Sequence, residues 1–166
     1  MEILLIRHGE TDWNRARRMQ GHIDIPLNNE GLRQAKALGA ALASEKLDAI
    51  YTSDLQRAAK TANAIEKLFN TKAIVDSSLR ERHLGVFQGV TTEEAPGFDP
   101  ELWKSHISRD IHQELRGGES ITQLAERVQK ALEKIRQQHI GKTILLVSHG
   151  GTLDMMYRIA SNQALD

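Results

Sequence analysis

Arg7 and His8 stand side by side where an apolar run, Ile3 to Ile6, gives way to Gly9-Glu10-Thr11-Asp12. An arginine fork matches the oxygens of a phosphate group, and a neutral imidazole is a competent nucleophile near pH 7. The pair is equipped to hold a phosphoryl group and to attack its phosphorus. Two more polar clusters come after later apolar runs: Ser53 to Arg57 after Asp48–Thr52, and Ser148-His149-Gly150-Gly151 after Lys142–Val147. Backbone N–H groups at a helix start attract anions, which suits a phosphate at either place. Arg57 falls in a first helical turn, where the dipole disfavours a cation, so it calls for an anion: a phosphate in one reading, a salt bridge to Asp54 or Glu81 in the other.

For one pocket to gather all three clusters, the runs before them must be parallel strands whose carboxyl ends lie together. Glu2–Ile6 reads as a strand buried on both faces. Leu32, Ala35, Leu38, Gly39 and Leu42 recur at helical spacing and predict a helix from near Asn29 to near Ser44. After the Asp48–Thr52 strand, Ser53-Asp54 is a helix start signal in front of Leu55, Ala58, Ala62, Ile65 and Phe69, and a brief strand is expected near Ala73–Val75. Residues Gly89–Gly118 show no period, as expected of loops and short helices. Ile121, Leu124, Ala125, Val128, Leu132 and Ile135 form one face of a long helix, with its start at Ser120 and Glu119 in the first turn favouring the dipole. A last helix opens after Ser148. Strands alternating with helices predict an α/β fold, a three-layer αβα sandwich around a mostly parallel sheet, as a single domain over residues 1–166.

Composition narrows the partners. Lys plus Arg and Asp plus Glu are both 22, so no global field favours nucleic acid or an anionic membrane, and any anion site is local. There is no cysteine, which removes thiol chemistry and suits a reducing compartment. No apolar run approaches the ~20 residues of a membrane span, and Arg7 comes too early for a signal peptide, so the expected location is cytoplasmic. Neither a P-loop nor a complete G-x-G-x-x-G after a strand is present, which argues against a nucleotide cradle. No metal is expected, since no His-x-x-x-His pair occurs.

Six ordered stretches resemble the histidine phosphatase superfamily, the phosphoglycerate mutase-like family. They are Arg7-His8-Gly9-Glu10-Thr11 with Asn14; Gln20-Gly21; Ser53-Asp54-Leu55-x-Arg57-Ala58-x-x-Thr61-Ala62; Leu79-Arg80-Glu81-Arg82-x-Leu84-Gly85-x-Phe87-x-Gly89; Gly117-Gly118-Glu119-Ser120; and Ser148-His149-Gly150-Gly151. The resemblance implies that His8 is the phosphorylated nucleophile and that Arg7, Arg57 and His149, with Gly150 beside it, hold the phosphoryl group. It implies that Glu81 protonates the leaving oxygen and then activates water, that Asn14, Gln20 and Gly21 make outer phosphate contacts, and that no cofactor is needed. The substrate would be a small-molecule phosphate ester.

Within that family, cofactor-dependent mutases carry a longer insertion rich in basic and aromatic residues after the glutamate segment. Here the span between Gly89 and Gly117 offers only Lys104, Arg109 and Arg116 as fixed cations. The resemblance therefore favours a phosphomonoesterase, in the group of broad-specificity and α-ribazole-5′-phosphate phosphatases. The Glu81-Arg82-His83 run echoes the mutases and keeps phosphoglycerate mutase as the alternative. A non-catalytic phosphate or phosphoprotein binding module is the alternative of another class, disfavoured because every catalytic position is filled. Family members usually continue past the last helix with a further strand and tail, whereas this sequence stops at Asp166, so an open sheet edge or pocket rim is expected. Oligomeric state is left open, a homodimer being one option. His22, His83, His106, His112 and His139 are expected to be surface or satisfied polar residues, and Trp13, Met19, Trp103 and Met155 mainly core.

Overall fold

In the computed structural model, which describes residues 1–166, the apolar runs become four strands: β1 (Glu2–Arg7), β2 (Ala49–Thr52), β3 (Ile74–Val75) and β4 (Thr143–Ser148). All pair in parallel, in the order β1-β4-β2-β3. The register sets Arg7 opposite Ser148 and Thr52 opposite Val147. The first residues beyond these strands, His8, His149 and Ser53, therefore leave the sheet at the same edge.

Pleating decides which helix each strand residue meets, because successive side chains point to opposite faces. Ala49, Tyr51, Ile144 and Leu146 face one way, onto α6 (Ile121–Gln138) and α7 (Gly150–Ala160). Ile50, Leu145 and Val147 face the other way, onto α3 (Gln56–Phe69) and the inner side of α2 (Asn29–Ala41). The result is the expected three layers. Leu145 has no exposed surface, and cutting such a residue to alanine costs about 2–5 kcal/mol.

One expectation fails at β1. Its apolar run predicts burial on both faces, yet the strand pairs with β4 alone and leaves Leu5 38% exposed. An apolar run signals a strand without telling a central position from an edge, because both offer an apolar face to the helices.

The aperiodic span folds as short helices α4 (Ala95–Phe98) and α5 (Pro100–Ile107), preceded by a 3₁₀ turn at Gly85–Phe87. Phe87, Ala95, Leu102 and Leu115 give it a small core of its own beside the sheet edge that carries the site. A four-residue helix α1 (Asp12–Arg15), closed by a Thr11–Asn14 capping box, fills the turn after His8.

Two helix starts differ from expectation. Helix α3 begins at Gln56 with no side-chain cap from its own N-cap residue; its first amide donates instead to Asp24, at 2.7 Å. Ser53 and Asp54 are committed elsewhere, Asp54 to Arg80 at 2.7 Å. Helix α6 does begin after Ser120, through a capping box with Gln123, but Glu119 lies outside the first turn and pairs with Arg127.

Candidate active site

His8 is buried as it leaves β1, with Nδ1 2.6 Å from the Gly9 carbonyl. A carbonyl only accepts, so Nδ1 bears the proton and Nε2 keeps its lone pair. Burial is the main cause holding the imidazole down at about 4; the Gly9 bond opposes that shift, while Arg57 and Arg7 add to it. At neutral pH the His8 imidazole is thus uncharged, and its Nε2 lone pair is available for nucleophilic chemistry. His149, fully buried at the N-cap of α7, lies with its ring centroid 5.2 Å from that of His8. Its Nε2 is 2.8 Å from Ser53 Oγ and its Nδ1 has no partner. Burial pushes the His149 imidazole well below its ordinary value, with Arg57 adding to the shift.

Arg57 comes from the first turn of α3 and is 1% exposed, donating to the carbonyls of Ile23 and Gly21, each at 2.7 Å. Those bonds fix the guanidinium while Nε stays unpartnered. It forms no salt bridge with Asp54, which belongs to Arg80, nor with Glu81. Burial lowers its pKa to about 10. Arg7 remains exposed and runs beside the start of α7, where a Cβ on Gly150 would stand 3.6 Å from its Cζ. Two cations and two neutral imidazoles thus meet at the sheet edge.

Glu81 reaches this place from an irregular segment. Its carboxylate accepts from the amides of Gly151 at 3.0 Å and Thr152 at 3.1 Å, capping α7 from outside, and from Arg82 N–H at 2.8 Å. The fit requires glycine at 151, since a Cβ there would fall 2.6 Å from Glu81 Oε1.

Of the predicted outer contacts, Gly21 acts through its carbonyl on Arg57 and adopts φ +56°. Asn14 Oδ1 accepts the Thr11 amide, and Gln20 is buried with Oε1 2.9 Å from Thr11 Oγ1. Asn14 and Gln20 thus brace the loop after His8, and Gly21 fixes Arg57. Next to Glu81 and Gly151 opens a pocket of about 370 Å³, walled by Met19, Trp103 and Met155 on its apolar side and by Arg82, His106 and Arg109 on its polar side.

Residues 3–166 match the family model of the histidine phosphatase superfamily, branch 1. The chain belongs to the histidine phosphatase superfamily. It is 43% identical to the metal-independent phosphoserine phosphatase of Arabidopsis thaliana, over 94% of this chain and 67% of that protein. It is 40% identical to phosphoglycerate mutase-like protein 4 of the same plant, over 98% and 72%. Among solved structures, Bacillus stearothermophilus YhfR superposes with a TM-score of 0.90 at 37% identity, covering 99% of this chain and 81% of that one. This histidine phosphatase is a phosphomonoesterase with the phosphoglycerate mutase-like α/β fold. None of its helices is long and apolar enough to cross a membrane.

Several functional contacts of this histidine phosphatase have no signature in the sequence. Ser53, expected to start a helix, is the partner of His149. His22 is expected at the surface or satisfied; its Nε2 does have a partner, and that partner is the Glu81 carbonyl, at 2.7 Å. His106, under the same expectation, lines the pocket with a buried, unpartnered Nδ1, and burial holds it at about 4. Arg127 and Thr152, both on Glu81 or its backbone, carry no local signal at all.

Proposed function

We propose that this enzyme hydrolyses small phosphate monoesters through a phosphohistidine on His8, and that its substrates carry a carboxylate on the leaving group. One observation carries the reading: two buried arginines, Arg57 and Arg82, have no carboxylate partner. A buried cation without a counter-ion is costly, and two of them call for two anions.

The substrate phosphate takes the first place, between Arg7, Arg57 and His149. With Ser53 donating to Nε2 of His149, its Nδ1–H is left to donate to a phosphoryl oxygen. Nε2 of His8 forms a bond to phosphorus as the ester oxygen departs, and Glu81 delivers the proton that oxygen needs. Glu81, now ionised, takes a proton from water, whose oxygen attacks phosphorus and frees His8 with release of inorganic phosphate. The balance is ester plus water to alcohol plus phosphate.

The carboxylate takes the second place. Arg82 lines the pocket next to Glu81, where a leaving group must lie, and its only side-chain hydrogen bond runs from Nε to the Glu119 carbonyl, at 2.8 Å. Arg109 and His106 stand on the same wall. The Arabidopsis relative's name specifies phosphoserine, which has such a carboxylate. A mutase reading is supported by the name of the other Arabidopsis relative and uses the same two places, returning the phosphoryl group to a second hydroxyl of bound phosphoglycerate. We read residues 1–166 as one histidine phosphatase domain of the cytoplasm, where the cysteine-free composition is at home.

Phosphate release is to be measured with chelator present, from O-phosphoserine and from O-phosphoethanolamine, which differ by the carboxylate. Wild type should release phosphate, His8→Ala none. The preference for phosphoserine should be roughly 10- to 100-fold and should vanish in Arg82→Ala, the scale of a lost hydrogen bond to a charged group. Turnover in His8→Ala would overturn the phosphohistidine. Equal rates on the two esters would overturn the carboxylate site, and conversion of 3-phosphoglycerate to its 2-isomer in place of hydrolysis would favour the mutase.

A further inference from the structure

Arg127 directs every N–H it has at one short piece of chain and the glutamate beside it. Nε and Nη2 donate to the two carboxylate oxygens of Glu119, both at 2.8 Å. Nη1 donates to the carbonyls of Ser78 at 2.8 Å and Arg80 at 2.9 Å, and the second Nη2 hydrogen goes to the carbonyl of Glu81, at 3.1 Å. A guanidinium has five N–H donors, and all five are used. Glu119 Oε2 also accepts the His83 amide at 2.7 Å, on the far side of Glu81.

The segment that Arg127 holds has no other regular support. Residues 81–84 belong to no helix or strand, and the Ser78, Arg80 and Glu81 carbonyls accept no backbone hydrogen bond. Buried or half-buried carbonyls need partners, and here one side chain on α6 supplies them for three. His22 and Thr152 add one bond each, to the carbonyls of Glu81 and Arg80. The backbone on both sides of Glu81 is thus pinned to α6, while its carboxylate rests on α7.

We propose that Arg127, locked by Glu119, is the positioning residue for the general acid: it touches neither phosphate nor leaving group, and sets where the Glu81 carboxyl sits relative to the ester oxygen. This rests on the acid role proposed for Glu81. A displacement of about 1 Å at such a group costs on the order of 100-fold in rate. Lysine cannot replace it, because a single ammonium cannot meet two carboxylate oxygens and three carbonyls.

The test uses the leaving group as its readout. An aryl phosphate such as 4-nitrophenyl phosphate departs without a proton, whereas an alkyl phosphate such as phosphoserine needs one. In Arg127→Ala and Arg127→Lys, kcat/KM for the alkyl ester should fall about 100-fold and that for the aryl ester less than about 5-fold. Guanidinium ion added to Arg127→Ala should restore part of the alkyl activity. The milder Glu119→Gln, which keeps size and one acceptor, should show the same selectivity at smaller scale, and a thermal melt of each variant checks that it is folded. Equal losses on both esters in folded variants, or no loss on either, would overturn the assignment. Should the arginine variants fail to fold, Glu119→Gln decides by the same criterion. Glu81→Gln measured alongside separates the two claims: selectivity there without selectivity in the Arg127 and Glu119 variants removes the positioning role alone, and its absence in Glu81→Gln removes the acid role beneath it.

Discussion

Ser53 and His149 meet at 2.8 Å, Oγ to Nε2, although 96 positions of chain separate them. One lies in the turn after β2 and the other opens the helix after β4, and adjacent parallel strands bring them together. The contact orients the imidazole that faces His8, and through Leu55 N–H, 3.3 Å from the same oxygen, ties it to the start of α3.

Removing that hydroxyl tests its worth. In Ser53→Ala the His149 ring loses its only side-chain partner, and kcat/KM should drop roughly 10-fold, the scale of one buried hydrogen bond. The secondary structure, read by circular dichroism, should stay as it is. An unchanged rate would mean that packing alone holds the ring.

Arg57→Lys keeps the charge and loses the fork. The two carbonyl bonds to Gly21 and Ile23 and the proposed contact with phosphate cannot all be made by one ammonium. Inorganic phosphate should raise the melting temperature of wild type, because it binds only the folded state, and should raise that of Arg57→Lys much less. Steady-state kcat/KM should fall about 100-fold or more. Equal phosphate stabilisation in both proteins would remove Arg57 from the anion site.

Acid should unfold this protein early. Burial holds His8 and His106 at about 4 and pushes His149 well below its ordinary value, against 6.5 for the exposed side chain. Between pH 6.5 and 4 the unfolded chain therefore binds protons that the folded chain refuses, so stability is lost as pH falls through that window and is intact above it. Melting temperatures measured from about pH 8 to about pH 4 should hold steady at first and decline below about 6.5. His106→Gln, outside the His8–His149 pair, should flatten part of the decline; an identical profile would show that His106 titrates normally.

Glu81→Asp shortens the acid by one methylene while keeping its charge. The carboxylate can no longer both cap α7 at Gly151 and Thr152 and reach an ester oxygen. Hydrolysis of phosphoserine should fall about 100-fold, and rapid-quench labelling with an aryl phosphate should reveal the phosphoenzyme persisting longer than in wild type, since activation of water is also impaired. Unchanged decay of the phosphoenzyme would confine Glu81 to the first step.

Much of the site is legible in the sequence because its members sit directly after apolar runs. Arg7 with His8, the Ser53–Arg57 stretch and Ser148-His149-Gly150 each come at the end of a strand, and parallel strands bring their carboxyl ends to one edge of the sheet. Glu81 is legible only through its resemblance to a family motif, since its segment has no period. The edge position of β1 carries no local mark, because pairing with β4 alone depends on strand order. Asp54 and Glu119 defeat the sequence reading for one reason. Each stands near a helix terminus in the sequence, but a half-buried arginine, Arg80 for Asp54 and Arg127 farther along α6 for Glu119, attracts it more strongly than a dipole whose influence fades within a turn.

By itself the sequence determined the layers, the strands and the place of His8 at a strand end, because hydrophobic period and strand-end position are local properties that a few neighbouring residues encode. The tertiary structure decided which polar groups find one another: Ser53 with His149, Arg127 with the backbone around Glu81, and Arg82 left without a counter-ion beside the pocket. Those pairings span 46 to 96 positions where they are made. They depend on strand order and helix placement, which are settled only when the buried faces of the whole chain pack together.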